Sequence, residues 1–136
     1  MACYVDDVRH EFGRMVMCHL WADTDTELLA MADRIGVQRK WIQGHPTLSQ
    51  PRFRKASWVH FDIALAKKAK AIAAGAILTD LFGPVEHVAK LNIATGDPEL
   101  IRYGRKRLEQ ISRSRHLRAA FNPNTTLAET QEREKP

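Results

Sequence analysis

Two short apolar runs near the start of the chain have strand length and charged borders: Ala2-Cys-Tyr-Val-Asp6 and Met15-Val-Met-Cys-His-Leu-Trp-Ala22. Both predict buried strands. The link between them, Asp7 to Arg14, is eight residues long. A parallel crossover needs about a dozen or more, so the two strands are expected to be antiparallel neighbours. Thr24-Asp-Thr-Glu27 is a capping-box pattern, followed by Leu28, Leu29, Ala32 and Ile35 on one face and Gly36 as a stop, which predicts a helix over 25–35. Val37 to Ile42 predicts a further strand. His45 to Ser57 contains Pro46 and Pro51 and has no usable period, so an exposed, mobile loop is expected there.

In the second half, Asp62 is placed to cap a helix over 63–74 that ends at Gly75. Leu65, Ala69, Ile72 and Ala73 are expected to face inward, with Lys67, Lys68 and Lys70 in solvent. Ile77 to Thr79 predicts a short strand, and Pro84 starts a helix over about 84–94. Asp97-Pro98-Glu99 reads as N-cap, first helical position and first-turn acid of a long helix over roughly 98–116. At 100° per residue, Leu100, Ile101, Gly104, Leu108 and Ile111 share one arc, opposite Arg102, Arg105, Lys106 and Arg113. The expected fold is α/β (α+β): a small mixed or antiparallel sheet with three to four helices packed on it and a long basic C-terminal helix. One domain is expected over 1–121, and 122–136 has too little to bury to be anything but a disordered tail.

Composition narrows the class. The chain has 136 residues, 44% hydrophobic and 27% charged, which excludes collagen-like, coiled-coil and wholly disordered proteins. No apolar run approaches the ~20 residues of a membrane helix. Asp6 and Asp7 stand where a secretory signal carries basic and apolar residues, so a cytoplasmic location is expected. Cys3 and Cys18 lie inside apolar segments and are expected to be buried free thiols. The net charge of +5 is unevenly spread: residues 1–33 carry −5, 34–70 carry +8 and 101–118 carry +6. Such blocks favour polyanionic or acidic partners.

Common catalytic spacings are missing from the sequence: Gly-x-Gly-x-x-Gly after a strand, a phosphate loop, His-Glu-x-x-His and Gly-x-Ser-x-Gly. Polar residues at predicted strand ends and helix starts remain, where α/β sheets place their sites. They are Asp6, Asp7, His19, Asp23, His60 and Asp62. Two imidazoles with carboxylates suit a divalent metal, or a general acid and base near neutral pH. Asp6, His19, His60 and Asp62 are the catalytic candidates, and Asp6, Asp23, His60 and Asp62 the metal candidates. An antiparallel hairpin separates Asp6 from Asp23, so His19, His60 and Asp62 with one of these two form the expected group. A phosphate site draws instead on Lys67 and Lys68 at a helix start, joined by Arg14. Arg52, Arg54 and Lys55 with Trp58 interleave cations and aromatics, as in single-strand binders. The stripe Arg102, Arg105, Lys106 and Arg113 suits phosphates or an acidic protein surface.

These residues also carry a family resemblance. Tyr4-Val-Asp6-Asp7, Phe12-Gly-Arg14-Met-Val-Met-Cys-His19-Leu-Trp-Ala-Asp23-Thr, Glu27-Leu, Arg34-Ile-Gly36, His60-Phe-Asp62, Lys67-Lys68 and Ala74-Gly75-Ala76 follow one another as in a short bacterial and phage domain, the domain of unknown function 4031 family. The chain resembles it over roughly residues 1–78, leaving 79–121 as a helical extension. The resemblance implies no particular chemistry; it supports the choice of residues. Two functions are therefore expected as alternatives. One is a small phage-type protein, in the host cytoplasm if phage-encoded, that acts on nucleic acid or nucleotides through metal-assisted phosphoester chemistry. The other is a non-enzymatic binder or inhibitor of a host nucleic-acid-handling or defence complex. A homodimer is compatible with both.

Overall fold

Successive residues of a strand point to opposite sides of the sheet, so the pairing register decides which side chains share a face. The computed structural model describes residues 2–121. Strands β1 (Cys3–Val5), β2 (His10–Phe12), β3 (Met15–Ala22), β4 (Phe61–Ala64) and β5 (Ile77–Leu78) form a five-stranded mixed sheet. β3 is its hub. It pairs antiparallel with β1 through Val5 opposite Leu20, with β2 through His10 opposite Met17, and with β4 through His19 opposite Asp62. β5 adds to β1 in parallel.

This register sorts the sheet by chemistry. One face carries Cys3, Val5, Cys18, Leu20, Ala22, Phe61 and Ile63, all in the hydrophobic core. Helices α1 (Asp25–Ile35) and α2 (Leu65–Ala73) cover this face, with Leu28, Met31, Ala32, Ile35 and Ala71 completing the core. The opposite face carries His10, Met17, His19, Trp21 and Asp62, and in register beyond the end of β1, Asp6. The antiparallel relation expected between the first two apolar runs holds, and both cysteines are buried free thiols. Thr24 caps α1 as its pattern predicts: its hydroxyl accepts the Glu27 amide at 3.2 Å and bonds the Glu27 carboxylate. Gly36, at φ 81°, ends the helix.

Two expectations fail. No strand forms over 37–42; a 3-10 turn, Arg39–Trp41, stands there, because the Arg39 guanidinium pairs with Asp33 on α1 and folds the segment back. Only Gln43 makes a β-bridge, to His60. Asp62 is not a helix cap, since Asp62, Ile63 and Ala64 pair with β3 and delay α2 to Leu65, with Ala64 as an N-cap that has no side-chain bond. The buried position of α2 is also not the expected one: Ala71 is buried, Leu65, Lys67 and Lys68 are half-buried, and Ala69, Ile72 and Ala73 are exposed together with Lys70. The stretch His45 to Ser57 is mostly exposed, as expected, and is tied down at one buried point. Ser49, buried, donates its hydroxyl to the Ile42 carbonyl and accepts the His45 amide, and Arg54 donates to the Ser49 carbonyl.

Two compact units divide the described residues, with the boundary between His87 and Val88. The second consists of most of α3 (Gly83–Ala94) and α4 (Pro98–Phe121). Asp97 caps α4 by accepting the Glu99 and Leu100 amides. Gly104 and Ile111 are buried and Ile101 and Leu108 half-buried, which is the arc that the helical period predicts, apart from Leu100, which is exposed. The helix runs five residues past its expected end at residue 116. The expected tail over 122–136 lies outside the described residues.

Candidate metal centre

The non-core face of the sheet gathers three imidazoles around one carboxylate oxygen. His10 Nε2 lies 3.9 Å, His19 Nε2 3.8 Å and His60 Nε2 3.5 Å from Asp62 Oδ1. These separations exceed a hydrogen bond, whose usual range is about 2.7–3.2 Å. The backbone explains the gathering: His19 and Asp62 are cross-strand partners, His10 sits one pair along on β2, and His60 precedes Asp62 by two residues on the same face.

Three of the four groups are held from behind, His19, His60 and Asp62, while His10 stacks on the His19 ring. The Asp6 carboxylate, fully buried, accepts the His19 Nδ1–H at 2.6 Å and the His19 backbone N–H at 2.9 Å. A carboxylate there fixes the proton on Nδ1 and leaves the Nε2 lone pair directed into the cluster. His60 Nδ1 lies 3.1 Å from the Trp58 carbonyl, which only accepts, so its Nε2 is likewise left for the cluster. Gln43 donates to Asp62 Oδ2 at 2.8 Å, leaving Oδ1 on the inner side. The Trp58 ring stacks on His60 at 4.1 Å between centroids and tilts against His19, closing one side.

Two of the inward atoms, His10 Nε2 and Asp62 Oδ1, are shielded from solvent and have no hydrogen-bond partner. Buried polar atoms are nearly always satisfied, so a pair left without partners at one point marks a binding position. His10, His19 and Asp62 offer ligand atoms that all lie within 4.8 Å of one another. Ligands at about 2.0–2.1 Å from a tetrahedral ion stand roughly 3.3 Å apart, so the two imidazoles must close on Asp62 Oδ1 by about 0.5–0.6 Å each and on one another by up to about 1.5 Å. Electrostatics agree with the geometry. Burial pulls the His19 imidazole down, but the hydrogen bond and charge of Asp6, with Asp62, outweigh it and leave its pKa raised. Burial pushes Asp62 up, and the neighbouring His60, Gln43 and His19 side chains outweigh that and hold it below the usual carboxylate range.

Of the residues expected at the site, Asp6, His19, His60 and Asp62 come together, with Asp6 behind His19 rather than facing the cluster. Asp23 is elsewhere: at the other end of the hairpin it accepts the Ala2 amide and the Tyr4 hydroxyl. Trp58 packs on the histidines instead of extending the basic loop. Lys67 and Arg52 line a cavity of about 780 Å³ that also reaches His10 and Asp62. Lys68 pairs with Asp7 at 3.2 Å. Arg14 is exposed in the β2–β3 turn, Arg54 and Lys55 are exposed in the loop, and Arg102, Arg105, Lys106 and Arg113 are exposed on α4 in the other unit. Sequence reasoning missed His10 and Gln43. For His10 a signal existed: Gly13-Arg14 is a two-residue turn between His10–Phe12 and β3, with Gly13 at φ 61°. Reading that hairpin places His10 on the face of Met17 and His19. Gln43 had none, because its position depends on the failed strand.

Among known families, the one described as Protein of unknown function (DUF4031) matches residues 3–91, and the chain belongs to it. The matched range contains every residue of the cluster and reaches beyond the 1–78 expected from the motifs. No curated protein and no solved structure matches the chain. Among the described residues, no helix is long and apolar enough to cross a membrane.

Proposed function

We propose that this protein is a metal-dependent phosphoester hydrolase acting on nucleotides or nucleic acid, with His10, His19 and Asp62 holding one divalent ion. The observation that carries this reading is the pair of buried atoms without partners, His10 Nε2 and Asp62 Oδ1, facing His19 Nε2 in a cluster where His19 and Asp62 are each held from behind. Imidazole with carboxylate suits zinc and similar first-row ions, and three protein ligands leave positions for substrate and water. Such an ion supplies Lewis acidity and a water acidic enough to react near neutral pH.

The chain's own groups have distinct tasks in this reading. Asp6 keeps His19 in the tautomer that can ligate, and Gln43 keeps Asp62 turned inward. His60, whose Nε2 reaches the same carboxylate oxygen, is the acid and base. As water adds to phosphorus, its proton passes to His60 Nε2; the bond from phosphorus to the leaving oxygen breaks, and that oxygen receives the proton. Lys67, on the cavity wall, steadies negative charge on the phosphoryl oxygens.

The test is metal content and turnover together. Purified protein should take up one zinc or manganese ion per chain and hydrolyse an activated phosphodiester, with both lost in His19→Ala and Asp62→Asn at unchanged circular dichroism. His60→Ala should keep the ion and lose turnover. Wild-type protein that takes up no stoichiometric metal, or turnover that persists in a chelator, overturns the reading. The binder alternative draws on the exposed α4 stripe; Glu replacing Arg102, Arg105 and Lys106 together should abolish oligonucleotide or partner binding there while leaving metal uptake intact.

A further inference from the structure

We infer that the cavity beside the cluster is a nucleobase site, so that the substrate is a nucleoside phosphate seated with its base among aromatic walls and its phosphate toward the His10–Asp62 edge of the cluster, where the ion would sit. This deepens the proposed function and rests on it for the placement of the phosphate. The cavity, of about 780 Å³, has His10 and Asp62 in its wall together with Phe12, Trp41, Phe53 and Arg52. Pockets of roughly 300–1,000 Å³ suit small organic ligands, and this lining combines apolar and aromatic side chains with a few polar ones, His10, Arg52, Asp62 and Lys67 among them.

The walls combine the two features that a nucleotide needs. Trp41 and Phe53 meet edge to face at 6.2 Å between centroids, and Trp41 and Phe12 remain 39% and 72% exposed although the core accepts other large side chains fully. Flat aromatic faces left accessible stack on bases with little sequence preference. Cations accompany them: the Arg52 guanidinium lies 4.6 Å from the Phe53 ring centre and 5.9 Å from that of Trp41, and Lys40 Nζ lies 4.9 Å over Trp41. Lys67 adds a second cation to the lining, whereas Asp62 is its single carboxylate and belongs to the cluster. An anionic ligand with a flat apolar part matches this arrangement; a neutral hydrophobe leaves Arg52 and Lys67 unused, and a sugar phosphate leaves the aromatic faces unused.

The same chemistry occurs in a free mononucleotide and at the terminal nucleotide of a strand, so the experiment uses both. Full-length protein, with its zinc content measured, is titrated calorimetrically with adenosine monophosphate, adenosine, inorganic phosphate and a 5′-phosphorylated trinucleotide, once zinc-loaded and once after chelation. The nucleotide is expected to bind at least tenfold more tightly than either adenosine or phosphate. Trp41→Ala is expected to remove about tenfold of that affinity while leaving zinc content and phosphate affinity unchanged. Arg52→Gln is expected to weaken the nucleotide and not adenosine. Tighter binding of the trinucleotide assigns the site to a strand end and tighter binding of the mononucleotide to a free nucleotide; either supports the inference. Nucleotide binding no tighter than phosphate, or unaffected by Trp41→Ala, overturns it while zinc uptake stands. Failure to take up zinc overturns the metal centre alone, because the effect of Trp41→Ala is still read in the chelated protein.

Discussion

Replacing Asp6 by Asn tests whether the buried carboxylate acts through the tautomer of His19. Asp6 is completely shielded and accepts two hydrogen bonds from one residue, the Nδ1–H at 2.6 Å and the backbone N–H at 2.9 Å. An asparagine of the same shape keeps one acceptor. If its oxygen stays on the His19 backbone amide, its NH2 faces Nδ1, which must then accept; the ring proton moves to Nε2 and occupies the lone pair offered to the ion. Loss of a partner behind a metal-bound histidine costs about 10–100-fold in affinity. The short charge-assisted bond places this case in the upper half of the range, about 30–100-fold, or roughly 2–2.7 kcal/mol. The assay is competition for zinc against a chromophoric chelator near neutral pH, with circular dichroism to confirm the fold. Zinc affinity in Asp6→Asn equal to wild type, with the fold intact, refutes the reasoning; Asp6→Glu, which retains a carboxylate at altered reach, should fall between them.

Three further outcomes follow from other parts of the molecule. Gly44→Ala should destabilise the protein by more than the ~1 kcal/mol typical of a misplaced alanine at positive φ, and lower zinc affinity, because Gly44 sits at φ 76° and an added Cβ runs into the Trp58 carbonyl that orients His60; urea unfolding and chelator competition measure the two effects. Thr24→Ala should lower stability by about 1 kcal/mol in urea titration and leave zinc binding unchanged, since it removes only the cap of α1. In chelated protein, the raised pKa of His19 should contribute stability that is full below its ordinary value of 6.5 and is lost as pH rises through the folded value. Unfolding free energy measured from about pH 6 to 9 should therefore decline more in wild type than in His19→Gln; parallel profiles refute the assignment.

What could be read from the sequence divides along a physical line. The helix over 25–35 and the strand Met15–Ala22 were legible to the residue, because a capping box, a glycine stop and charged borders are local signals that the tertiary structure leaves in place. The segment from Asp62 to Ala73 was misread for the opposite reason. Local preference offers Asp62 as a cap, but pairing of Asp62, Ile63 and Ala64 with β3 is non-local and overrides it. The helix accordingly starts at Leu65, and its buried position is Ala71 rather than Ala69, Ile72 or Ala73. At the site, the polar residues bordering strands were legible as a set, whereas their geometry was not. Whether Asp6 or Asp23 meets His19 depends on the β1–β3 register, and no residue in the sequence announces the bridge that brings Gln43 to Asp62.

The cluster is better explained as a preformed ligand set than as a structural polar network. A network that existed only to join the strands gains from short contacts, and the three imidazoles would be drawn to hydrogen-bonding distance of Asp62. Their Nε2 atoms stand instead at 3.5–3.9 Å. The short bonds are all on the outer side: Asp6 to His19, and Gln43 to Asp62, with the Trp58 carbonyl behind His60. Leaving a buried polar atom without a partner costs about 1–3 kcal/mol, and His10 Nε2 and Asp62 Oδ1 both carry that cost at one point. A ligand that satisfies both relieves it on binding, so zinc should raise the melting temperature through linkage. Asp6→Asn, by spoiling only the third donor, should reduce that rise without abolishing it, whereas His10→Ala, which removes a ligand outright, should abolish it.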